Sequence, residues 1–146
     1  MIYLLDTNIL SEAAPTKARP QEALIAWIGR NENTLYLSTI TLLEISYGIE
    51  RLEARGARAK AARLREWASL ALHGYRDRII PVSNTIAVLA GRLIALAEAR
   101  GGRVSQEDAI IAASAENIGA TVLTRNTRHF QPMGVAQIDP FIRLPQ

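Results

Sequence analysis

The sequence predicts an α/β fold: a short parallel β-sheet of about four or five strands with helices on both faces. Three observations carry this. Apolar runs such as Tyr3-Leu-Leu5 and Val122-Leu123 are too brief to be helices. The segments between them repeat their apolar residues at helical spacing. Glycine, asparagine and proline mark most of the joints. Short buried strands alternating with helices imply parallel pairing, and right-handed crossovers leave few topologies.

Ile2 to Leu5 reads as the first buried strand. Pro20 opens a helix running to about Arg30, with Leu24, Ile25, Trp27 and Ile28 on its apolar side. After the turn-like Asn31-Glu-Asn33, Leu35 to Leu37 is the second strand. A helix from about Thr41 to Ala54 ends near Gly56. A basic helix follows from Ala57 to Leu72, where Ala61, Leu64, Ala68 and Leu72 line one face and Gly74 ends it. Ile79 to Val82 is the third strand, and Thr85 to Arg100 is a helix stopped by Gly101-Gly102. Ser105 to Asn117 is another helix, with Gly119 positioned as its C-terminal cap. Thr121 to Leu123 and Val135 to Ile138 complete the strands. No internal repeat or low-complexity tract occurs, and 146 residues suffice for one domain with one core, spanning residues 1–146.

Composition excludes several classes. Apolar residues make up 49% of the chain, which argues against disorder. No stretch reaches the roughly 18 apolar residues that cross a bilayer, so no membrane role is expected. Asp6 and Asn8 come too early for a signal peptide. Cysteine is absent, removing disulfides, thiolate nucleophiles and cysteine-bound zinc. A cytoplasmic location is compatible with that. The formal charge is +3, and of 17 basic residues only Lys17 and Lys60 are lysine. Arginine is the better bidentate partner for phosphate. A stripe of Arg51, Arg55, Arg58, Lys60, Arg63, Arg65, Arg76 and Arg78 faces only Glu53, Glu66 and Asp77. It can attract a polyanion or simply be a solvated helix face.

Three carboxylates stand out because each adjoins an apolar element. Asp6 closes the first strand, Glu44 follows Ile40-Thr-Leu-Leu43, and Asp108 precedes Ala109-Ile-Ile-Ala-Ala113. Capping explains each alone. Thr41-Leu-Leu-Glu44 and Ser105-Gln-Glu-Asp108 both fit the capping box, and Asp6 can cap a turn at Thr7-Asn8-Ile9. Together they read differently, since acids gathered in one crevice repel unless a cation joins them. In open parallel sheets that crevice lies beyond the carboxyl ends of the strands, where strand order reverses. If the first and fourth strands are neighbours, Asp6 and Thr124-Arg125-Asn126 project into it. An all-oxygen set suits Mg²⁺ or Mn²⁺, which support in-line hydrolysis of a phosphodiester. No nucleophile-elbow motif or Gly-rich phosphate loop is present.

At these residues the sequence resembles the PIN-domain family, specifically the VapC or FitB-like toxin ribonucleases of prokaryotic toxin–antitoxin pairs. The resemblance rests on Tyr3-Leu-Leu-Asp-Thr-Asn-Ile9, Ser38-Thr-Ile-Thr-Leu-Leu-Glu-Ile-Ser-Tyr-Gly48, Asp108-Ala-Ile-Ile-Ala-Ala113 and Leu123-Thr-Arg-Asn-Thr-Arg-His-Phe130. It implies a PIN-like sheet, metal-dependent endoribonuclease activity on RNA and a homodimer, alone or in a larger assembly with a cognate antitoxin. It implies further that Asp6, Glu44 and Asp108 hold Mg²⁺ or Mn²⁺, and that Asn126 joins them in catalysis. Thr7, Asn8, Thr124 and Arg125 become candidates for contact with substrate phosphate, although Arg125 can equally anchor its loop. Many relatives carry aspartate at Asn126, and often at His129. Asn126 can still orient a water through its amide, while His129 reads as a loop residue. A non-catalytic protein- or nucleic-acid-binding module is the competing reading. A phosphatase using Asp6 as nucleophile is disfavoured because Asn8 stands where a second aspartate is wanted.

Overall fold

The computed structural model describes residues 1–146. Five strands form one parallel sheet: β1 (Tyr3–Leu5), β2 (Leu35–Ser38), β3 (Ile79–Ile80), β4 (Thr121–Leu123) and β5 (Gln137–Ile138), in the order β3-β2-β1-β4-β5. Tyr3 lies opposite Leu35 on one side and Thr121 on the other, which puts β1 at the centre. The chain builds outward through β2 and β3, then returns to the other side of β1 for β4 and β5. Strand order therefore reverses between β1 and β4, as the crevice argument requires.

Side-chain alternation along β1 divides the core into two layers. Tyr3 and Leu5 face helices α1 (Thr7–Leu10), α2 (Glu22–Arg30), α3 (Thr39–Ala54) and α4 (Arg58–Tyr75), packing with Ile9, Trp27, Leu35, Leu37, Ile45 and Ile49. Leu4 faces α5 (Asn84–Ala99), α6 (Gln106–Asn117) and α7 (Thr127–Phe130), packing with Ile86, Leu93, Ile111, Val122 and Phe130. Leu4, Leu5, Ile111 and Phe130 are each fully buried. Truncating any of the aliphatic ones to alanine costs about 2–5 kcal/mol.

Most expected elements are present, with instructive shifts. The expected helix at Thr41 starts at Thr39, because Ser38 is the N-cap and its hydroxyl accepts from Ile40 N at 3.2 Å. Thr41 is thus buried inside the first turn and the Thr41–Glu44 capping box does not form. Leu43, the last residue of the apolar run before Glu44, is 55% exposed, so the run does not bury this helix start throughout. The basic helix does not stop at Gly74. It continues to Tyr75, whose buried ring outweighs the roughly 1 kcal/mol cost of glycine. β3 ends at Ile80, before Pro81, which has no N–H for a ladder. The helix after Pro20 begins at Glu22, and β5 is confined to Gln137–Ile138. Gly119 caps α6 as expected with φ +67°, a conformation that side chains with a Cβ resist. The one-turn helices α1 and α7 are additions, each beginning immediately beyond the carboxyl end of a central strand or its short loop.

Much of the basic stripe is engaged internally. Arg65 pairs with Glu50 at 3.1 Å and Glu53 at 3.4 Å, and Arg78 Nε donates to Leu35 O at 3.1 Å. Arg58 lies 3.7 Å from Glu53, and Arg63 donates to Pro15 O at 3.1 Å. Arg51, Arg55 and Lys60 have no carboxylate partner. No helix is long and apolar enough to cross a membrane.

Candidate active site

Asp6 leaves β1 in extended conformation, and its backbone N–H continues the ladder to Leu123 O at 3.0 Å. Its side chain turns back over the start of α1. Oδ1 accepts from Thr7 N at 2.7 Å, while Oδ2 accepts from Asn8 Nδ2 and Thr124 Oγ1, each at 2.7 Å. Thr124, wholly buried at the end of β4, in turn accepts from Asn126 N at 2.9 Å. Arg125 N donates to Asn8 Oδ1 at 3.3 Å. A small polar lattice thus ties together the carboxyl ends of the two central strands and fixes the Asp6 rotamer.

Glu44 sits one turn beyond the start of α3, where Oε1 accepts from Thr7 Oγ1 at 2.9 Å. Thr7 Oγ1 is also 3.3 Å from Thr41 Oγ1, so the misidentified cap instead supports the hydroxyl that holds Glu44. Asp108 lies in the first turn of α6. Ser105 Oγ accepts from Asp108 N at 3.0 Å, which is half of the expected capping box. The Asp108 carboxylate does not close the box. Its Oδ2 lies 3.0 Å from His129 Nδ1.

Asp6, Glu44, Glu107 and Asp108 line one open crevice of about 550 Å³ with Thr7, Asn8, Ser11, Leu43, Tyr47, Ser105, Asn126 and His129. No lysine or arginine lines it. Burial pushes the Asp6 carboxyl above its ordinary range, and the Asp108 charge adds to that push. The hydrogen bonds from Thr124, Thr7 and Asn8 oppose it only partly. Glu44 is also raised, first by burial and then by the charges of Asp6, Asp108 and Glu107, against the Thr7 hydroxyl. Glu44 has no cap to explain its position, and the acids have no lysine or arginine partner.

No group of three or more acidic or histidine side chains is placed to hold a metal ion together as the side chains stand. The charge of Asp108 nonetheless reaches Asp6, and the charges of Asp6, Asp108 and Glu107 reach Glu44. An open, oxygen-rich crevice with uncompensated negative charge fits Mg²⁺ or Mn²⁺, which keep several waters and need only one or two carboxylates. It does not fit a closed tetrahedral zinc site.

Of the residues singled out from sequence, Asp6, Thr7, Asn8, Glu44, Asp108 and Asn126 line the crevice, with Thr124 buried beneath. Arg125 is elsewhere: its guanidinium stacks over Phe141 at 4.2 Å, anchoring the C-terminal segment. Sequence reasoning passed over Glu107, Ser11 and Tyr47, and took His129 for a loop residue. Tyr47 stands three residues after Glu44 and His129 three after Asn126, so helical spacing from a residue already singled out was the available signal.

The PIN domain family profile matches residues 3–134, and the chain belongs to that family. It is 32% identical to the toxin FitB of Neisseria gonorrhoeae over 96% of this chain and 99% of that protein. To the VapC ribonuclease Y4jK of Sinorhizobium fredii it is 35% identical, covering 96% and 98%. The crystal structure of FitAcB from Neisseria gonorrhoeae superposes with a TM-score of 0.84 at 31% identity, over 96% of this chain and 99% of that one. A toxin–antitoxin complex from Klebsiella pneumoniae matches with a TM-score of 0.63 at 27% identity, over 94% and 97%.

Proposed function

We propose that this protein is an Mg²⁺- or Mn²⁺-dependent endoribonuclease that hydrolyses RNA phosphodiester bonds as the toxin of a toxin–antitoxin pair, acting in the cytoplasm. One observation carries the reading: four acids share a crevice that no lysine or arginine lines. The names of the relatives agree with it.

Asp6, Glu44 and Asp108 hold the cation in this reading. The cation supplies Lewis acidity, drawing charge from a phosphoryl oxygen and acidifying water. Thr7, Asn8 and Thr124 keep Asp6 in one rotamer, so its carboxylate needs little reorganisation when the cation and substrate arrive. His129 restrains Asp108 in the same way. Asn126, exposed at the rim with its N–H fixed by Thr124, presents an amide that can orient a water or a phosphate oxygen.

The antitoxin has a suitable seat beside the crevice. A groove of about 440 Å³ is floored by Ile45, Ile49, Leu52, Leu64 and Trp67 and edged by Lys17, Arg55 and Lys60. It shares Thr7, Ser11 and Glu44 with the crevice, so an apolar, acidic segment lying there blocks substrate. The chain works as a homodimer in this reading, which sedimentation tests.

The test is cleavage of single-stranded RNA with Mn²⁺, with EDTA, and by Asp6→Asn. Cleavage is expected only in the wild-type chain with the cation. Undiminished cleavage by purified Asp6→Asn removes Asp6 from the mechanism. That no three acidic or histidine side chains are grouped to hold a metal is the one observation favouring a non-catalytic binding module. Calorimetry separates the two, because that alternative requires no Mn²⁺ uptake at millimolar concentration.

A further inference from the structure

Leu43, Tyr47 and Arg51 follow one another at four-residue spacing along α3, so they share a face that starts beside Glu44 and leads out of the crevice. Tyr47 is 62% exposed, although large aromatic side chains are seldom left so bare. One side of its ring carries the Arg51 guanidinium, 5.5 Å from the centroid. Arg51 is one of the four basic residues of the stripe without a carboxylate partner, whereas Arg58, Arg65, Arg76 and Arg78 each lie within 4 Å of an acid. Only Leu43 and Tyr47 among the twelve crevice-lining residues are hydrophobic.

We infer that Tyr47 and Arg51 form a nucleotide subsite, in which a base flanking the scissile phosphate stacks on Tyr47 and an adjoining phosphate meets Arg51. This rests on the ribonuclease reading and deepens it. An apolar peptide finds too little around Tyr47 to bury against. A nucleobase needs only one planar face, and stacking tolerates every base. The charge pattern also suits a nucleic acid. The crevice acids repel phosphate unless a cation is bound, and Arg51 supplies attraction about two helical turns further along. The path of the strand follows: its reactive phosphate lies over the acids, the flanking base on Tyr47 and the next phosphate at Arg51.

The test uses a single-stranded oligoribonucleotide that the wild-type chain cleaves with Mn²⁺, and the same oligonucleotide with one abasic nucleotide moved along it. Tyr47→Ala is expected to raise KM by about five- to a hundred-fold, and Tyr47→Phe to stay near wild type. At one position beside the cut, loss of the base should raise KM for the wild-type chain yet add nothing in Tyr47→Ala. Arg51→Ala should lower the slope of log KM against log salt by about one. Equal abasic penalties in wild type and Tyr47→Ala overturn the stacking inference alone. So does an unchanged KM for Tyr47→Ala accompanied by a weaker dimer on sedimentation, which assigns the face to a second copy. Failure of the wild-type chain to cleave any RNA overturns the ribonuclease reading and this inference together.

Discussion

Asp6 and Glu12 are both buried acids, 5% and 1% exposed, six positions apart in one short stretch, yet the chain treats them oppositely. Glu12 is given a cation. Lys17 Nζ comes to 2.6 Å of its Oε1, as a close charge contact that lacks hydrogen-bond alignment, and Gln21 N donates to Oε2 at 3.3 Å. Asp6 receives only neutral donors and lies within the repulsive field of Asp108. A buried carboxylate normally demands charge compensation. Where the chain provides it, as at Glu12, the acid fastens the loop leading to α2. Where the chain withholds it, as at Asp6, the acid is left to the cation of the proposed site.

The strongest way to break this contrast is the same change, carboxylate to amide, at both sites. Asp6→Asn should reduce RNA cleavage by at least about a thousand-fold, the scale of a lost charge-stabilising group. Its unfolding free energy should stay within about 1 kcal/mol of wild type, because a lost hydrogen bond and a relieved buried charge oppose each other. Glu12→Gln should do the reverse, lowering stability by about 1–3 kcal/mol in urea while cleavage per folded molecule persists. The cost is bounded because Lys17 is 37% exposed and can turn to water. Equal stability losses at both positions would make both acids structural.

The same contrast explains what the sequence disclosed. The crevice was legible because its acids follow strand ends or open helices, and because short apolar runs dictate a parallel sheet whose ligand edge is known in advance. Glu12 was not legible. Its partner Lys17 lies across a loop with no periodicity, so nothing local marks the pair. The supposed cap at Thr41 misled for a physical reason: Ser38, the last residue of β2, competes for the same helix start and wins by lying directly on the strand. His129 was misjudged because its partner Asp108 belongs to another helix, a pairing that only tertiary structure creates. Arg125 illustrates the reverse, a cation beside the site whose stacking partner, Phe141, lies far along the chain.

A smaller effect sharpens the comparison through pH. Asp6 and Glu44 have folded-state values above their ordinary ones. Between the ordinary carboxylate range and those raised values, the folded state therefore holds more protons than the unfolded state. Stability of the metal-free chain must fall as pH climbs through that window and stay lower above it. Mn²⁺ at ten times its Kd should raise Tm by about 4 °C at neutral pH. Below the ordinary carboxylate range, where the acids are protonated in both states, the shift should vanish. Differential scanning fluorimetry across pH reads this directly, and a pH-independent shift would place the cation away from these acids.

The smallest expected effect belongs to Glu44→Gln. Glu44 is only half-buried, and its one hydrogen bond, from Thr7 Oγ1, can be kept by an amide oxygen. Removing its charge relieves repulsion from Asp6, Asp108 and Glu107 without emptying space or orphaning a donor. The metal-free variant should therefore be more stable than wild type at neutral pH, by about 0.5–1 kcal/mol, as when a functional site gives up a strained group. It should also show a smaller Mn²⁺-induced rise in Tm, because the proposed site loses one of its carboxylates. Urea unfolding in EDTA measures the first change and fluorimetry with Mn²⁺ the second. A destabilised Glu44→Gln would mean that Glu44 is held for the fold, as Glu12 is, and would move it to the structural side of the comparison.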